Sequence, residues 1–196
     1  MIRLALLDDH PAVLTGLQRF LEPVPDVEVL AAAADPEALE RLLAGRSPDV
    51  LILDYDPLRG GGLSLCWRIK CRPGAPRVLL YTSYSSPALA LAARAAQADG
   101  VLDKSASAAT LAGTIRRLAD GESELPPVRR RDFELAVARL ADEDLPVFAM
   151  LLDGTTLPDI AESMRLPEGE AAHRARRVIE RLGPGVQGSI SPRRIA

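Results

Sequence analysis

Residues 50–56 of this 196-residue chain read VLILDYD, a run of four apolar side chains that ends directly at the acid Asp54. A short and continuously apolar run is typical of a strand buried on both faces of a parallel sheet. Three more runs of this kind end at or near polar side chains: residues 2–7 before Asp8 and Asp9, residues 78–81 before Thr82, and residues 101–102 before Lys104. At all four junctions a buried strand leads to a charged or hydroxyl side chain.

Helical stretches separate these apolar runs along the first 120 residues. We predict strands near 2–7, 27–32, 50–53, 77–81 and 100–103, and helices near 11–21, 37–44, 62–70, 88–98 and 107–120. Pro11 and Pro36 suit the first turn of a helix, and Ser107 is a candidate N-cap. Strict alternation predicts an α/β fold, a five-stranded doubly wound parallel sheet with helices on both faces.

The carboxyl ends of parallel strands meet at one edge of such a sheet, where the chemistry of these folds gathers. We expect three carboxylates, a hydroxyl and an ammonium group there: Asp8, Asp9, Asp54, Thr82 and Lys104. Carboxylates at this spacing repel one another, and a divalent cation such as Mg²⁺ relieves the repulsion. A hydroxyl and an ammonium group beside that metal suit a phosphoryl group.

Arginine outnumbers lysine by 22 to 2 in this chain, and the two lysines are Lys70 and Lys104. A position that keeps lysine against such a bias favours a compact point charge over the planar fork of arginine. This bias supports a specific role for Lys104.

The composition indicates a cytoplasmic protein with a substantial core. Hydrophobic residues make up 47% of the chain, and Arg94 interrupts the alanine-rich run 88–98, so we expect no membrane-spanning segment. The first residues lack the basic region and cleavage site of a secretion signal. Cys66 and Cys71 match no metal or redox motif, so we expect free thiols in a reducing cytoplasm and no membrane partner.

A second, smaller all-α domain follows the sheet. Residues 121–131 (GESELPPVRRR) contain paired prolines and a basic triplet, which is typical of a domain boundary, and we expect a linker over 121–139. Helices are predicted near 132–141, 143–153, 158–165 and 168–182, so the second domain spans 140–183. The tail 184–196 has two glycines and two prolines and is expected to be irregular.

The first 120 residues resemble the flavodoxin-like receiver domain of bacterial response regulators. The resemblance rests on the acid pair after the first strand, the acid after the third, Thr82, Lys104, and the segment DKSASAATLAGTIRRLADGE at 103–122. It implies that Asp54 accepts a phosphoryl group from a histidine kinase and that Lys104 and Thr82 contact this group. It also implies that Mg²⁺ is bound by Asp9 and Asp54, by Asp8 through water, and by the main-chain carbonyl of Asp56.

The chain departs from the receiver pattern in two places. Leu58 stands where the family has a proline, and Val101 stands where it often has a rotating aromatic residue three positions before the lysine. Tyr84 is an alternative aromatic contributor, although an ordinary loop residue is the preferred interpretation. His10 follows the acid pair, and we interpret it as a helix N-terminal residue without a ligand role.

An enzyme offers a competing interpretation of the same acids. Asp54-Tyr55-Asp56 matches the D-x-D motif of haloacid-dehalogenase-like phosphatases, which also use an aspartate nucleophile, Mg²⁺, threonine and lysine. That family places its nucleophile on the first strand and further acids later. Here the acid pair comes first, which favours a receiver and a regulator rather than an enzyme.

Residues 140–183 resemble the LuxR-type helix-turn-helix of NarL-like regulators, and the stretch that carries the resemblance is LLDGTTLPDIAESMRLPEGEAAHRARRVIERLG at 151–183. Helical spacing after residue 168 predicts an inward apolar face formed by Ala171, Ala175, Val178, Ile179 and Leu182. The resemblance implies that this helix enters the major groove of promoter DNA. The side chains expected to contact DNA are His173, Arg174, Arg176, Arg177 and Arg181.

The second domain also departs from its family. Ala171-Ala172 replaces a valine-lysine pair, Glu170 replaces a threonine, Pro158 stands near the start of the preceding helix, and the tail lacks the usual dimerisation helix. Residues 132–196 carry 8 basic and 11 acidic residues, which opposes DNA affinity. Two hypotheses remain open: a phosphorylated DNA-binding regulator that is a homodimer when active, and a receiver with a degenerate output domain that acts through protein contacts.

Overall fold

The computed structural model of the chain describes residues 1–43, 45–56, 61–84 and 86–183. The first part is a five-stranded sheet in the order β2-β1-β3-β4-β5, and every pairing in it is parallel. The strands are β1 (Ile2–Leu7), β2 (Val27–Ala33), β3 (Val50–Asp54), β4 (Arg77–Thr82) and β5 (Gly100–Asp103). The predicted α/β fold class is confirmed.

Helices cover both faces of this sheet. They are α1 (Pro11–Leu21), α2 (Pro36–Leu43), α3 (Gly62–Lys70), α4 (Pro87–Ala95) and α5 (Ala108–Ala119). Alternate residues of β1 supply the two apolar clusters, since Leu4 and Leu6 pack with α1 and α5 while Ala5 and Leu7 pack on the opposite side. The Ser107 hydroxyl accepts a hydrogen bond from the Thr110 amide at 3.1 Å, as expected of an N-cap.

A buried ion-pair cluster fixes the edge of the sheet opposite the strand ends predicted to carry the chemistry. Asp99, 8% exposed, accepts hydrogen bonds from Lys70 Nζ at 2.8 Å, Arg77 Nη1 at 2.7 Å and the Val78 amide at 2.7 Å. These bonds join the end of α3, the start of β4 and the turn before β5. One of the two lysines is therefore held in a structural ion pair.

The stretch 121–139, expected as a linker, follows the surface of the sheet domain. The Glu124 amide donates to the Asp99 carbonyl at 2.8 Å, and the Val101 amide donates to the Glu124 carbonyl at 3.1 Å, so this segment lies along the edge of β5. The helix α6 (Arg130–Val137) then packs against α4. It begins two residues before the predicted start.

The second domain consists of a short 3-10 helix (Asp142–Asp144), α7 (Leu145–Leu152), α8 (Leu157–Met164) and α9 (Glu168–Leu182). The helix predicted over 143–153 is divided because a proline occupies the first turn of α7. Gly154, with φ of 75°, allows the turn between α7 and α8. In the part of the chain that the structure describes, no helix is long and apolar enough to cross a membrane.

The helical domain is docked on α4 of the sheet domain. Helices α6, α7 and α9 all contact α4, and α9 also contacts α3. The buried residues of α4 are small or aliphatic, and they join the apolar cores of both domains into one cluster. Among the described residues, hydrogen bonds cross this contact from Gln97 Nε2 to the Thr155 carbonyl at 3.4 Å and from Ser64 Oγ to Glu180 Oε1 at 3.4 Å, while Arg94 Nη2 donates to the linker at the Pro126 carbonyl at 3.1 Å.

Candidate functional site

The charged side chains expected at the carboxyl edge of the sheet are close together. Lys104 Nζ lies 2.6 Å from Asp8 Oδ2 and 2.8 Å from Asp54 Oδ1, so one ammonium group bridges the ends of β1 and β3. Asp8 is 4% exposed and the Asp54 side chain is 12% exposed. The register of β1 against β3 sets this proximity, because Leu7 pairs with Leu53 and the acids follow at equivalent positions.

The ion pairs determine the charge state of Lys104. Burial by itself lowers the pKa of an ammonium group, but hydrogen bonds and charge attraction from Asp54 and Asp8 outweigh it, and the pKa of Lys104 is raised. The ammonium group also lies 5.8 Å from the centroid of the Tyr81 ring. Lys104 is therefore a protonated point charge directed at the candidate phosphoacceptor.

His10 lies nearer to the acids than its interpretation as a plain helix N-terminal residue suggests. His10 Nδ1 is 2.8 Å from Asp9 Oδ1 and 3.2 Å from Asp8 Oδ1, while its distance to Asp54 Oδ2 is 3.9 Å. The His10 amide also donates to Asp8 Oδ1 at 2.9 Å. As expected, His10 precedes the first turn of α1, which begins at Pro11.

The donor set fits a divalent cation. Ligand atoms of Asp8, Asp9, His10 and Asp54 all lie within 4.8 Å of one another. Three carboxylates face one ammonium group here, which leaves negative charge for a cation to neutralise. Mg²⁺ takes one or two carboxylates and completes its shell with water and phosphate oxygens, and this oxygen-rich set meets that preference.

Thr82 is fully buried at the end of β4, and its hydroxyl is already engaged. Thr82 Oγ1 donates to the main-chain carbonyl of Tyr55 at 2.6 Å and accepts from the Tyr84 amide at 2.9 Å. The threonine therefore joins the loop after β3 to the loop after β4. Its predicted contact with a phosphoryl group requires the hydroxyl to leave the Tyr55 carbonyl.

The remaining residues predicted for the receiver site are less informative. Asp56 follows Tyr55 in the described chain, and its carbonyl as a metal ligand stays a prediction. Tyr84 is 42% exposed, in agreement with an ordinary loop residue. Leu58, which replaces the family's proline, lies outside the described residues, as does the tail 184–196.

In the helical domain, α9 has the predicted inward face. Ala171, Ala175, Val178, Ile179 and Leu182 are all buried. The helix α8 precedes α9, with the Thr156 side chain as its N-cap, and the two helices pack together. This pair is the expected helix-turn-helix arrangement.

Two of the arginines expected to contact DNA are bound within the domain. Arg177 donates to Asp144 from Nε at 3.1 Å and from Nη2 at 2.5 Å, and Arg181 Nη1 donates to the same carboxylate at 3.2 Å. Asp144 is completely buried, and its hydrogen bond is the main reason that the pKa of Arg177 is raised. The sequence interpretation missed Asp144.

The other three predicted DNA contacts pair with neighbours on α9 or are exposed, and Arg174 is the most covered of them, with 22% of its side chain exposed. Arg174 pairs with Glu170 at 2.9 Å, and Arg176 lies 3.9 Å from Glu180, both one helical turn away. His173 is exposed. The accessible face of α9 thus presents basic groups beside two acids, and the DNA-contacting roles of all five residues stay predictions.

Comparison with known proteins agrees with the observed sheet fold. The family model for the response regulator receiver domain matches residues 4–116, more than half of the chain. The chain therefore belongs to the response regulator receiver family. Its helical output domain makes it a response regulator of the NarL/LuxR type.

Two curated relatives match most of the chain, and a solved structure matches a shorter part of it. The DNA-binding transcriptional activator DevR/DosR of Mycobacterium tuberculosis H37Rv is 29% identical, with 93% of this chain and 89% of the relative covered. The transcriptional regulatory protein LiaR of Bacillus subtilis 168 is 30% identical, with 84% and 82% covered. The crystal structure of a LuxR-family two-component response regulator from Aurantimonas sp. SI85-9A1 is 33% identical and has a TM-score of 0.59, with 70% of this chain and 99% of that chain covered.

Proposed function

We propose that this protein is a transcription regulator that accepts a phosphoryl group from a histidine kinase on Asp54 and binds promoter DNA through its helical domain. The observation that carries the proposal is the position of Lys104 Nζ, 2.8 Å from Asp54 and 2.6 Å from Asp8 at the carboxyl edge of a receiver sheet. The names of the relatives DevR/DosR and LiaR support a transcriptional output.

Asp54 is the acceptor because it is the acid at the centre of the site. Its Oδ1 is bound to Lys104, and its Oδ2 faces the His10 and Asp9 side. A carboxylate is an adequate nucleophile for a loose phosphoryl-transfer transition state when nearby cations stabilise the developing charge. Lys104 supplies one such charge. Its ammonium group pairs with Asp54 before the transfer and with the phosphoryl oxygens after it.

Asp9 and Asp54 would hold Mg²⁺ directly, with Asp8 through water and the Asp56 carbonyl as a further ligand. When bound, the metal neutralises negative charge on the carboxylates and the phosphoryl group. Asp8 is committed to Lys104 through one oxygen and to the His10 amide through the other, which suits a role in the outer shell. Thr82 then donates its hydroxyl hydrogen to a phosphoryl oxygen.

The DNA-binding surface is the outward face of α9, led by the exposed His173 and Arg176 and by the half-buried Arg174. Arg177 and Arg181 contribute less to this surface, because their guanidinium groups are bound to the Asp144 carboxylate. Docking of α9 on α3 restricts the approach of DNA to this helix. We therefore expect phosphorylation to release the helical domain from α4 and to favour a homodimer on DNA.

Labelling with acetyl phosphate and Mg²⁺ tests the acceptor. We expect Asp54→Asn to abolish the phosphoprotein, whereas the matched change Asp120→Asn, at the exposed C-cap of α5, leaves labelling intact. Intact labelling of the Asp54→Asn protein would remove Asp54 from the proposal. Lost labelling in both variants would point to a general defect rather than to the acceptor.

A second candidate function is regulation by protein contact without DNA. The pairing of Arg174 with Glu170, together with the Asp144 pair, favours it, because these contacts reduce the positive charge that α9 offers to phosphates. The two functions differ in their salt dependence. We expect promoter binding to weaken steeply as salt rises, and a slope near zero against log salt would favour protein contact.

A further inference from the structure

Tyr55 touches both the candidate phosphoacceptor region and the docked output domain. It follows Asp54 directly in the chain, and its side chain is 3% exposed. Its amide donates to the Tyr81 carbonyl at 3.1 Å, which holds its backbone against the end of β4. A displacement of this backbone therefore moves a large buried ring.

The Tyr55 carbonyl and the phosphoryl group would compete for the same hydrogen, that of the Thr82 hydroxyl. Thr82 Oγ1 donates to this carbonyl at 2.6 Å. A hydroxyl has only one hydrogen to donate, so Thr82 cannot serve the Tyr55 carbonyl and a phosphoryl oxygen at the same time. Thr82 must release Tyr55 when it turns to the phosphoryl group, and the freed carbonyl, buried with its residue, must find another donor or move.

The ring of Tyr55 lies between two glycines from different domains. A methyl group added at Gly62, the first residue of α3, would lie 3.1 Å from Tyr55 Cδ2. A methyl group added at Gly183, which follows α9, would lie 3.7 Å from the Tyr55 hydroxyl oxygen and from Leu63 Cδ1. Tyr55 and Leu182 belong to the same apolar cluster. The Tyr55 side chain therefore forms part of the receiver surface against which the end of α9 packs.

We propose that Tyr55 is the residue that couples phosphorylation of Asp54 to release of the output domain. Loss of the Thr82 hydrogen bond shifts the Tyr55 backbone, the ring follows, and the end of α9 loses its support beside Leu63. The inference rests on the proposed function, because it takes Asp54 as the phosphoacceptor. It assigns Tyr55 a positioning role and no direct contact with the phosphoryl group.

Beryllofluoride with Mg²⁺ serves as the test probe, because it binds an aspartate as a phosphoryl mimic. Binding is followed by ¹⁹F NMR, and docking is followed by hydrogen exchange of the α9 amides. In the wild-type chain we expect the probe to speed α9 exchange about tenfold or more. In Tyr55→Leu the probe still binds, but α9 exchange with and without it differs by less than twofold.

Two matched variants separate coupling from simple loss of packing. Tyr55→Phe keeps the ring and the backbone carbonyl, so we expect the wild-type response. Ser64→Ala removes the side-chain contact with Glu180 in the same interface without touching the Thr82 route, so we expect the response to remain. A wild-type response in Tyr55→Leu, or its loss in Ser64→Ala, would overturn the role of Tyr55.

The coupling can also be tested in the reverse direction, because a change at the end of α9 should alter probe binding at Asp54. Gly183→Val adds a branched side chain whose Cβ lies 3.3 Å from the Glu180 carbonyl and 3.7 Å from the Tyr55 hydroxyl and Leu63, so its methyl groups crowd this contact, and the φ of −55° at this position accepts a side chain. If undocking and beryllofluoride binding are linked, this variant binds the probe several-fold more tightly, and the gain disappears in a Tyr55→Leu background. Unchanged affinity contradicts the inference. Failure of the wild-type chain to bind the probe at all instead contradicts the proposed function.

Discussion

The buried carboxylate of Asp144 offers a quantitative test of how the output domain is held together. Asp144 is fully buried and receives three hydrogen bonds from Arg177 and Arg181, which tie the 3-10 helix to α9. We expect Asp144→Asn to destabilise the domain, because an amide carries no charge for two guanidinium groups. The replacement keeps the volume of the side chain, so cavity formation does not contribute.

The magnitude follows from the burial of each partner. Breaking a fully buried ion pair costs about 3–5 kcal/mol, because a charge is left without a partner. Here the Arg177 and Arg181 side chains are 29% and 41% exposed, so water partly replaces the lost carboxylate. We therefore expect a loss of about 2–3 kcal/mol in the free energy of unfolding.

Urea-induced unfolding of the full chain measures this loss. Circular dichroism follows both domains, whereas the fluorescence of Trp67 in α3 follows the receiver, so a selective loss in the output domain is visible. Glu143→Gln is the matched control: Glu143 is 66% exposed and lies 3.4 Å from Arg177, and we expect a change of about 0.5 kcal/mol or less. An Asp144→Asn effect below about 1 kcal/mol, or equal to that of the control, would refute the reasoning.

Three further predictions concern charges in the receiver. At a Mg²⁺ concentration tenfold above its dissociation constant, we expect thermal unfolding to show about 1.4 kcal/mol of stabilisation. The Asp9→Asn variant should lack this stabilisation, and an equal gain in the variant would contradict the metal site. Lys104→Arg should slow acetyl-phosphate labelling about tenfold or more although the charge is kept, because a planar fork replaces a point charge; an unchanged rate would argue against this. The hydrogen bond with Arg116 lowers the pKa of Asp26 from 3.8 to about 2, so the ionised acid stabilises the fold above pH 3.8 and this contribution is lost as pH falls towards 2. NMR titration should show the Asp26 pKa returning towards 3.8 in Arg116→Gln, and a value still near 2 would contradict the assignment.

Much of the receiver could be predicted because its signals are local. The continuous apolar runs at β1, β3 and β4 identified buried parallel strands, and strand ends in such a sheet must share an edge. The proximity of Asp8, Asp54 and Lys104 follows from that topology alone. The apolar face of α9 was likewise predictable, because helical spacing depends only on residues within the same element.

The contacts that the sequence left undetermined join residues far apart in the chain. Arg177 and Arg181 point away from the apolar face of α9 as predicted, but their partner Asp144 lies more than 30 residues earlier, within an ordinary run of acids. Their spacing of four residues, which gives two cations on one face, was the available signal. Asp99 is a similar case, since nothing local distinguishes it from other acids at the end of a helix.

Docking on α4 had a detectable signal. The run 88–98 is apolar or small on nearly every side of the helix, and Arg94 is its only charge. A helix without a polar face is usually covered on all sides. The sequence interpretation took this run only as one helix of the sheet layer, whereas it also indicates a second layer formed by another domain.

The confinement of both lysines has a practical consequence for chemical labelling. Lys70 and Lys104 are each less than a fifth exposed and bound to carboxylates, so their amines are poor nucleophiles towards acylating reagents while the fold is intact. Dilute succinimidyl esters should therefore leave both side-chain amines largely unmodified while the fold is intact. Acylation at Lys104 would then report directly that its ion pairs with Asp8 and Asp54 have broken.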